Sequence, residues 1–498
     1  MPLARRRLLA LGAALLLAGC GTTVGTVAGP ATPQSAPDGL GAAPQAPGAI
    51  QAPGGGVAPG GAGVTQPGGS AVVGGDAPIT TTGGSVPSAA PKASGAGRVT
   101  APLSVGITYI DNSQSTAAVG AEDPRTVNAR NVTEAMVKAL NARGGVQGRR
   151  LVPVYFQFNG QSADYSTQAA EACSRFTEDN HVALVIDNSF GTTGGFRECL
   201  QKRGVPSLTT QSEGDRASSR AATLHASPSG MVLERQYGAV LEQLVATKYV
   251  GSGNQVGVIL EDCPDVNRAW DGTLAPLAKR LGLKAPLVRR FECAVGYSSL
   301  GNAGSAISGA LLAFNGAGVD RVMFVSHFED VLLLLFGPAA ESQAYHPGYM
   351  LSSGAQPHYL RTQLPDTQWA QFHGVGGSPY GDTDEAKPTG ADPQCLQLVT
   401  SAGLLPANYD DVGTVLFICA PYLLLDAVLA RTAGAADTRS LVTAIAGLGT
   451  SFVSPGNVAG RTRFGPDRRD GGDAVRVFAY VPACQCLRYT APAVQPPQ

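Results

Sequence analysis

Between residues 103 and 489, short β-branched runs alternate with amphipathic stretches, and the alternation occurs twice. Residues 103–110 read as a strand and 127–143 as a helix, with Val132, Met136 and Leu140 on one face at i, i+4 and i+8. Gly144-Gly145 ends that helix, because glycine tolerates the left-handed conformation at a helix C-cap. Strands at 151–158, 182–186 and 205–209, with helices at 165–178 and 193–203, complete the first series. The second opens with a helix at 231–247, amphipathic through Tyr237, Val240, Leu241, Leu244 and Val245. Strands follow at 255–260, 287–293, 321–325, 349–351 and 372–375, separated by helices at 268–281, 299–314 and 329–340. Helices at 392–402, 411–431 and 439–446 lead to closing strands at 475–481 and 485–489. Strand–helix repeats build parallel sheets with helices on both faces. About 390 residues is more than one core usually holds. Two α/β lobes joined by a hinge are therefore expected, with functional residues on loops at the carboxyl ends of strands and between the lobes.

The segment before this region has another character. Arg5, Arg6 and Arg7 precede an apolar stretch at 8–17, too short to span a bilayer, which needs about 20 apolar residues. It reads as the apolar part of a signal peptide. The segment ends Leu17-Ala18-Gly19-Cys20, which resembles a bacterial lipobox with Cys20 as the lipidated residue. Stable anchoring takes more than one acyl chain. Residues 21–100 are rich in Gly, Ala, Pro, Ser and Thr, contain no aromatic residue and almost no charge, and are expected to be a disordered tether. A Gly-rich coil of that length has an end-to-end distance of about 50 Å. Beyond the signal no run reads as a transmembrane helix; the most apolar patch, 331–336, is far too short. Residues 491–498 read as a disordered tail.

Eight of the nine cysteines remain after Cys20. An even count in an exported chain suggests disulfides. Sequence-neighbour pairing gives Cys173–Cys199, Cys263–Cys293, Cys395–Cys419 and Cys484–Cys486, although a Cys-x-Cys ring is strained. Cys484-Gln485-Cys486 lacks the usual metal-ligand spacing and has no neighbouring histidine, so no metal is implied. A net charge of −1 with no basic stripe gives nucleic-acid binding no electrostatic footing. There is no Gly-x-Ser-x-Gly elbow, Walker A loop or His-Glu-x-x-His, and the six histidines are scattered. Neither an enzyme nor a cofactor is expected.

The turn Leu140-Asn141-Ala142-Arg143-Gly144-Gly145-Val146-Gln147-Gly148 resembles one found between the first helix and second strand of the type I periplasmic binding proteins. The branch is the leucine/branched-chain-amino-acid-binding-like one that serves ABC importers. The order of the later elements fits as well. The resemblance implies two lobes, 101–224 with 378–450 and 226–376 with 453–490. Three crossovers, near 224–227, 375–379 and 450–453, would join them, and the lobes would close on a small solute. It places the ligand's carboxylate on hydroxyls and backbone N–H groups after the third and fourth strands, where helix starts offer unpaired donors. Here those loops supply Ser189, Phe190, Gly191 and Thr192, and Thr210, Gln211 and Ser212. Asp111 after the first strand, and His327, Phe328 and Ser353 from the second lobe, complete the expected set. Each of these positions also has an ordinary reading as capping or turn chemistry.

Amino-acid binders of the family usually grip the ammonium with an acidic residue of the second lobe. The corresponding loop, Leu351-Ser352-Ser353-Gly354-Ala355, has no carboxylate, so an amide, carboxylate or aromatic acid fits as well as an amino acid. The resemblance implies an extracytoplasmic receptor, lipid-anchored on the outer face of the cytoplasmic membrane, that hands its solute to an ABC permease. The alternatives are a ligand sensor of the same fold serving a signalling partner, and a structural or interaction lipoprotein.

Overall fold

The computed structural model describes residues 98–111, 125–160, 165–189, 195–210, 214–294, 300, 303–357, 359–378, 382 and 391–498. The signal segment, Cys20 and all but the last three residues of the expected tether lie outside them.

Two sheets carry the fold. The first is wholly parallel, with strands β1 (Leu103–Asp111), β2 (Leu151–Asn159), β3 (Leu184–Asn188), β4 (Ser207–Thr209) and β5 (His225–Ala226) in the order β2-β1-β3-β4-β5. The second contains β6 (Val256–Asp262), β7 (Leu287–Glu292), β8 (Arg321–Val325), β9 (Gly348–Ser352) and β10 (Phe372–Gly376), in the order β7-β6-β8-β9-β10, all parallel. Each parallel sheet thus starts beside its edge and reverses direction next to its first strand, between β1 and β3 and between β6 and β8. The second sheet departs from a purely parallel plan at its far edge. There β11 (Arg476–Val481) and β12 (Cys486–Tyr489) add as an antiparallel hairpin.

The helices fall where the apolar periodicity puts them. The helix Ala129–Ala142 buries Val132, Met136 and Leu140 and is capped by the Asn128 side chain on the Asn131 N–H. Beyond it, Gly145 has a φ of +85° and runs so close to Arg149 that a Cβ would stand 2.0 Å from that residue's carbonyl oxygen. A glycine is needed there for space as well as for conformation. The short helix Arg216–Ala221 escaped the sequence reading because it buries none of its residues and so carries no periodic signal.

The helix Tyr409–Arg431 is long and apolar enough to cross a membrane. Yet 78% of its apolar window is buried inside the fold. Val415, Ile418, Cys419, Tyr422, Leu424 and Leu425 join Leu103, Ile107 and Ile186 in the first lobe's core. Its all-round apolarity is that of a core helix packed on several sides.

The chain passes between the sheets three times, and the passages are bonded to one another. Ser227 donates to the Arg469 carbonyl (2.9 Å) and accepts from Gly471 (2.7 Å), while Val458 donates to the Gly377 carbonyl (2.9 Å). Phe452 and Phe464 still pack in the first core, so the third passage reaches the second sheet only at β11. Residues 491–498 run beside the helix Leu233–Ala246. Val494 and Val475 exchange two backbone bonds of 2.9 Å, and Arg235 donates to the Pro497 carbonyl (3.2 Å).

All four sequence-neighbour disulfides are formed, including Cys484–Cys486. The last is accommodated because Gln485, between the two cysteines, takes a left-handed φ of +49°.

Candidate solute-binding cleft

Ligands of open α/β sheets bind beyond the carboxyl ends of the strands, at the point where strand order reverses. In the first lobe that point is polar and internally braced. Asp187, at the end of β3, is fully buried and accepts from Thr108 Oγ1 (2.6 Å), Ser189 N (3.1 Å) and Arg197 Nε (2.8 Å). Burial by itself would raise its pKa. The charge of Arg197 and the hydroxyls of Ser189 and Thr108 outweigh burial and hold the carboxyl below the ordinary aspartate value. Thr210 follows β4, is buried, and donates its N–H to the Asp187 carbonyl (3.2 Å). Asp187 therefore ties together the loops after β3 and β4. Its role had no signal in the sequence, because a strand-end aspartate looks like any turn residue until its partners from β1 and the helix Phe196–Arg203 are in place.

The second lobe has a matching brace. Glu261, near the end of β6, is buried and accepts from Ala294 N (2.9 Å), Ser326 Oγ (3.0 Å), His327 N (2.9 Å) and His327 Nδ1 (3.0 Å). The other ring nitrogen, Nε2, is 2.9 Å from Asp265 Oδ2. Burial favours the neutral imidazole, but hydrogen bonds and charge from Asp265 and Glu261 reverse that preference and raise the His327 pKa to about 10. His327 is thus an imidazolium locked between two carboxylates, with no ring N–H left for a solute. Cys263 lies beside Glu261, Asp265 and His327, but its sulfur is bonded to Cys293 and is not a thiolate ligand.

The remaining expected residues divide. Ser189 and Thr210 stand together at the first lobe's strand ends. Ser353 follows β9, and its Oγ accepts from Gly377 N (3.3 Å) at the second passage between lobes. Phe328 is buried in the second lobe's core, so its ring is a packing element. Asp111 closes β1, opposite Asn159. Phe190, Gly191, Thr192, Gln211 and Ser212 lie outside the described residues.

The loop after β9 contains no carboxylate, but a neighbouring element supplies one. Glu329, first residue of the helix Glu329–Ser342, accepts from Ser352 N (2.8 Å), from the Ser352 hydroxyl, and from Tyr237 OH (3.3 Å). Burial pushes its pKa up to about 7 against these donors. Next to it, Asp330 is only partly buried and accepts from Gln356 Nε2 (3.3 Å). Burial raises it to about 6, and the backbone N–H groups of Val331 and Asp330, together with the charge of Arg125, act the other way. Arg125 belongs to the first lobe, where its neighbour Thr126 is bonded to Asp411.

The lobes also touch directly. Asp215, which caps the helix Arg216–Ala221 through Ser218 N (2.9 Å), forms a two-point ion pair with Arg268 of the second lobe's helix Pro264–Ala269. Beside it, a Cβ on Gly214 would come within 2.7 Å of Asp265 Oδ2. The loop after β4 thus meets the loop after β6, and the carboxyl ends of the two sheets face each other.

Two braced α/β lobes with opposed polar strand ends and an ion pair across the gap define a bilobal binding protein. A family model described as periplasmic binding protein matches residues 115–386, more than half of the chain, and the chain belongs to that family. This is a family of extracytoplasmic solute-binding proteins, not of enzymes. No curated protein matches the chain in sequence. Solved structures share the type I, leucine/isoleucine/valine-binding-like fold. A possible leucine/isoleucine/valine-binding protein from Rhodopirellula baltica SH 1 is 15% identical, with a TM-score of 0.56, covering 79% of this chain and 97% of its own. A solute-binding protein of an ABC transporter from R. palustris, in complex with 4-hydroxybenzoate, is 13% identical, with a TM-score of 0.56 and the same coverage. A leucine-binding protein from Thermotoga maritima MSB8 is 14% identical, with a TM-score of 0.55, covering 79% and 99%.

Proposed function

We propose that this chain is an extracytoplasmic lipoprotein, anchored through Cys20, that captures a small polar solute between its lobes and delivers it to an ABC permease. The observation that carries this reading is the meeting of the two lobes at the carboxyl ends of their parallel sheets, where Asp215 of the first lobe pairs with Arg268 of the second. The lobe of the first sheet and the lobe of the second sheet close around the solute. On the first lobe Thr192, Thr210 and Ser212 hold its carboxylate or amide, while Ser189, whose N–H and hydroxyl both donate to Asp187, shapes the loop. On the second, Ser353 and Asp330 contact the opposite end, and His327 positions the loops without contacting the solute. Asp330 gives the second lobe an acidic group, so amino-acid-like solutes stay in the class beside amides and aromatic acids such as the hydroxybenzoate bound by the R. palustris protein.

The test is a thermal-shift screen of residues 101–498 against amino acids, small acids, hydroxybenzoates, amides and sugars. A solute present at a hundredfold excess over its Kd stabilises the protein by about 2.7 kcal/mol. No shift with any member of the panel would sink the transport reading. For the anchor, Cys20→Ser should release the protein from the membrane fraction.

A further inference from the structure

The four disulfides are of two kinds. Cys173–Cys199, Cys263–Cys293 and Cys395–Cys419 close loops with separations of 26, 30 and 24 residues, and each has at least one sulfur-bearing residue buried in a core. Cys484–Cys486 spans a separation of 2 and lies at the tip of the β11–β12 hairpin. Pro482, Ala483, Cys484 and Gln485 are all exposed there, and Cys486 is half-exposed. Constraint of the unfolded chain grows with the length of the loop closed, so a three-residue ring contributes least to holding the fold. The ring also bends the backbone. Its two Cα atoms are 5.2 Å apart, and the chain folds back at Gln485, a non-glycine residue with a φ of +49°. Exposed disulfides in strained surroundings are the ones that exchange with thiols.

We infer that Cys484–Cys486 is a thiol–disulfide exchange site, open to an external dithiol while the other three disulfides persist. In the exchange, one thiolate of the dithiol attacks the exposed Cys484 Sγ. The bond to Cys486 Sγ breaks and its electron pair leaves on Cys486 as a thiolate. The second thiol of the partner, as thiolate, then attacks the mixed disulfide and releases Cys484. The partner ends as a disulfide and the hairpin as a dithiol; two electrons have moved to the protein, and the reverse sequence returns them. The hairpin keeps its β11–β12 pairing through Phe478–Tyr489 and Tyr480–Leu487, so opening the ring leaves the second sheet intact.

The test treats the native protein with limiting dithiothreitol in one arm and with a reduced Cys-x-x-Cys protein in the other, followed by alkylation and peptide mapping. Alkylation of Cys484 and Cys486 is expected about tenfold or more ahead of the other six cysteines. Faster reaction in the protein arm assigns the partner to a protein dithiol, and faster reaction with dithiothreitol assigns it to a small-molecule pool. Opening of Cys173–Cys199 at the same rate or earlier would overturn the inference. As a second measurement, the double variant C484S/C486S should keep the parent's melting temperature, whereas C395S/C419S should lose several degrees. An equal loss in both would make the hairpin bridge a structural staple and overturn the proposal. Neither readout depends on solute binding.

Discussion

Asp215 and Arg268 meet across the two lobes in a paired contact, Oδ2 to Nε at 2.7 Å and Oδ1 to NH2 at 2.9 Å. The aspartate is almost fully buried and half of the arginine side chain is exposed, with relative exposures of 2% and 50%. The pair therefore joins a fixed acid on the first lobe to a cation on the second that water can reclaim. Exposed pairs contribute about 0.2–1 kcal/mol and two-point geometry places this one at the upper end. Arg268→Ala should favour the separated lobes and weaken solute affinity roughly fivefold, in keeping with about 1 kcal/mol. Scattering should show a larger radius of gyration for the variant without solute. If the charge swap Asp215→Arg with Arg268→Asp fails to recover any affinity, the contact does not act through charge.

The His327 brace sets an alkaline limit. Its folded pKa, about 10, lies above the ordinary value of 6.5. Its stabilisation is therefore complete below about pH 6.5 and is lost as pH rises through about 10. His327→Asn should cost about 3–5 kcal/mol at neutral pH, because Glu261 is left buried without its cation. It should also flatten the fall in melting temperature between pH 7 and 10. A variant that keeps the parent's alkaline profile would contradict this assignment.

Glu329 acts in the same sense at lower pH. Burial raises its pKa from 4.5 to about 7, so between those values the folded state holds a proton that the unfolded chain releases. Stability attributable to this group falls as pH rises through that window. Glu329→Gln should narrow the difference in unfolding free energy between pH 5 and pH 8, with urea titrations at both pH values as the measurement. An unchanged pH dependence would show that the group does not titrate there.

Asp330→Asn removes the half-buried acid of the second lobe that accepts from Gln356 Nε2. If the solute carries an ammonium, affinity should drop about tenfold or more, as for loss of a charge-assisted hydrogen bond. If it is an acid without an ammonium, affinity should hold or rise. Calorimetric titration of the solute found in the screen separates the two. A melting temperature close to the parent's would keep the comparison interpretable.

The turn after the first helix offers a graded test. Gly144 has a φ of +94° with open space where a Cβ would stand, while Gly145 has a φ of +85° and the Arg149 carbonyl in the way. Gly144→Ala should cost about 1 kcal/mol from conformation alone, and Gly145→Ala at least twice that. Equal losses in denaturant titrations would mean that the close approach relaxes at no cost.

The alternation of strand and helix, the two series and the Gly144-Gly145 turn were all legible in the residues, because apolar periodicity and glycine placement are local properties of the chain. Boundaries differed by a few residues, as where the first helix begins at Ala129 and not at residue 127. The cysteine spacing also carried its pairing, since each bridge joins neighbours along the chain. Burial could not be read this way: the apolar helix Tyr409–Arg431 is a core element only because the helices Ala129–Ala142, Asp392–Ser401 and Thr438–Ala446 and the strands β3 and β4 pack around it, and Phe328 is buried in the second core. The charged groups were the least legible. His327 carries an ordinary sequence context, and its imidazolium exists only because Glu261 and Asp265, from a strand and helix 66 and 62 residues away, close on both ring nitrogens. Local pattern determined which elements form. Tertiary structure decided which side chains lose water and which charges then meet, because desolvation and Coulomb energy depend on distances in space that the order of residues does not contain.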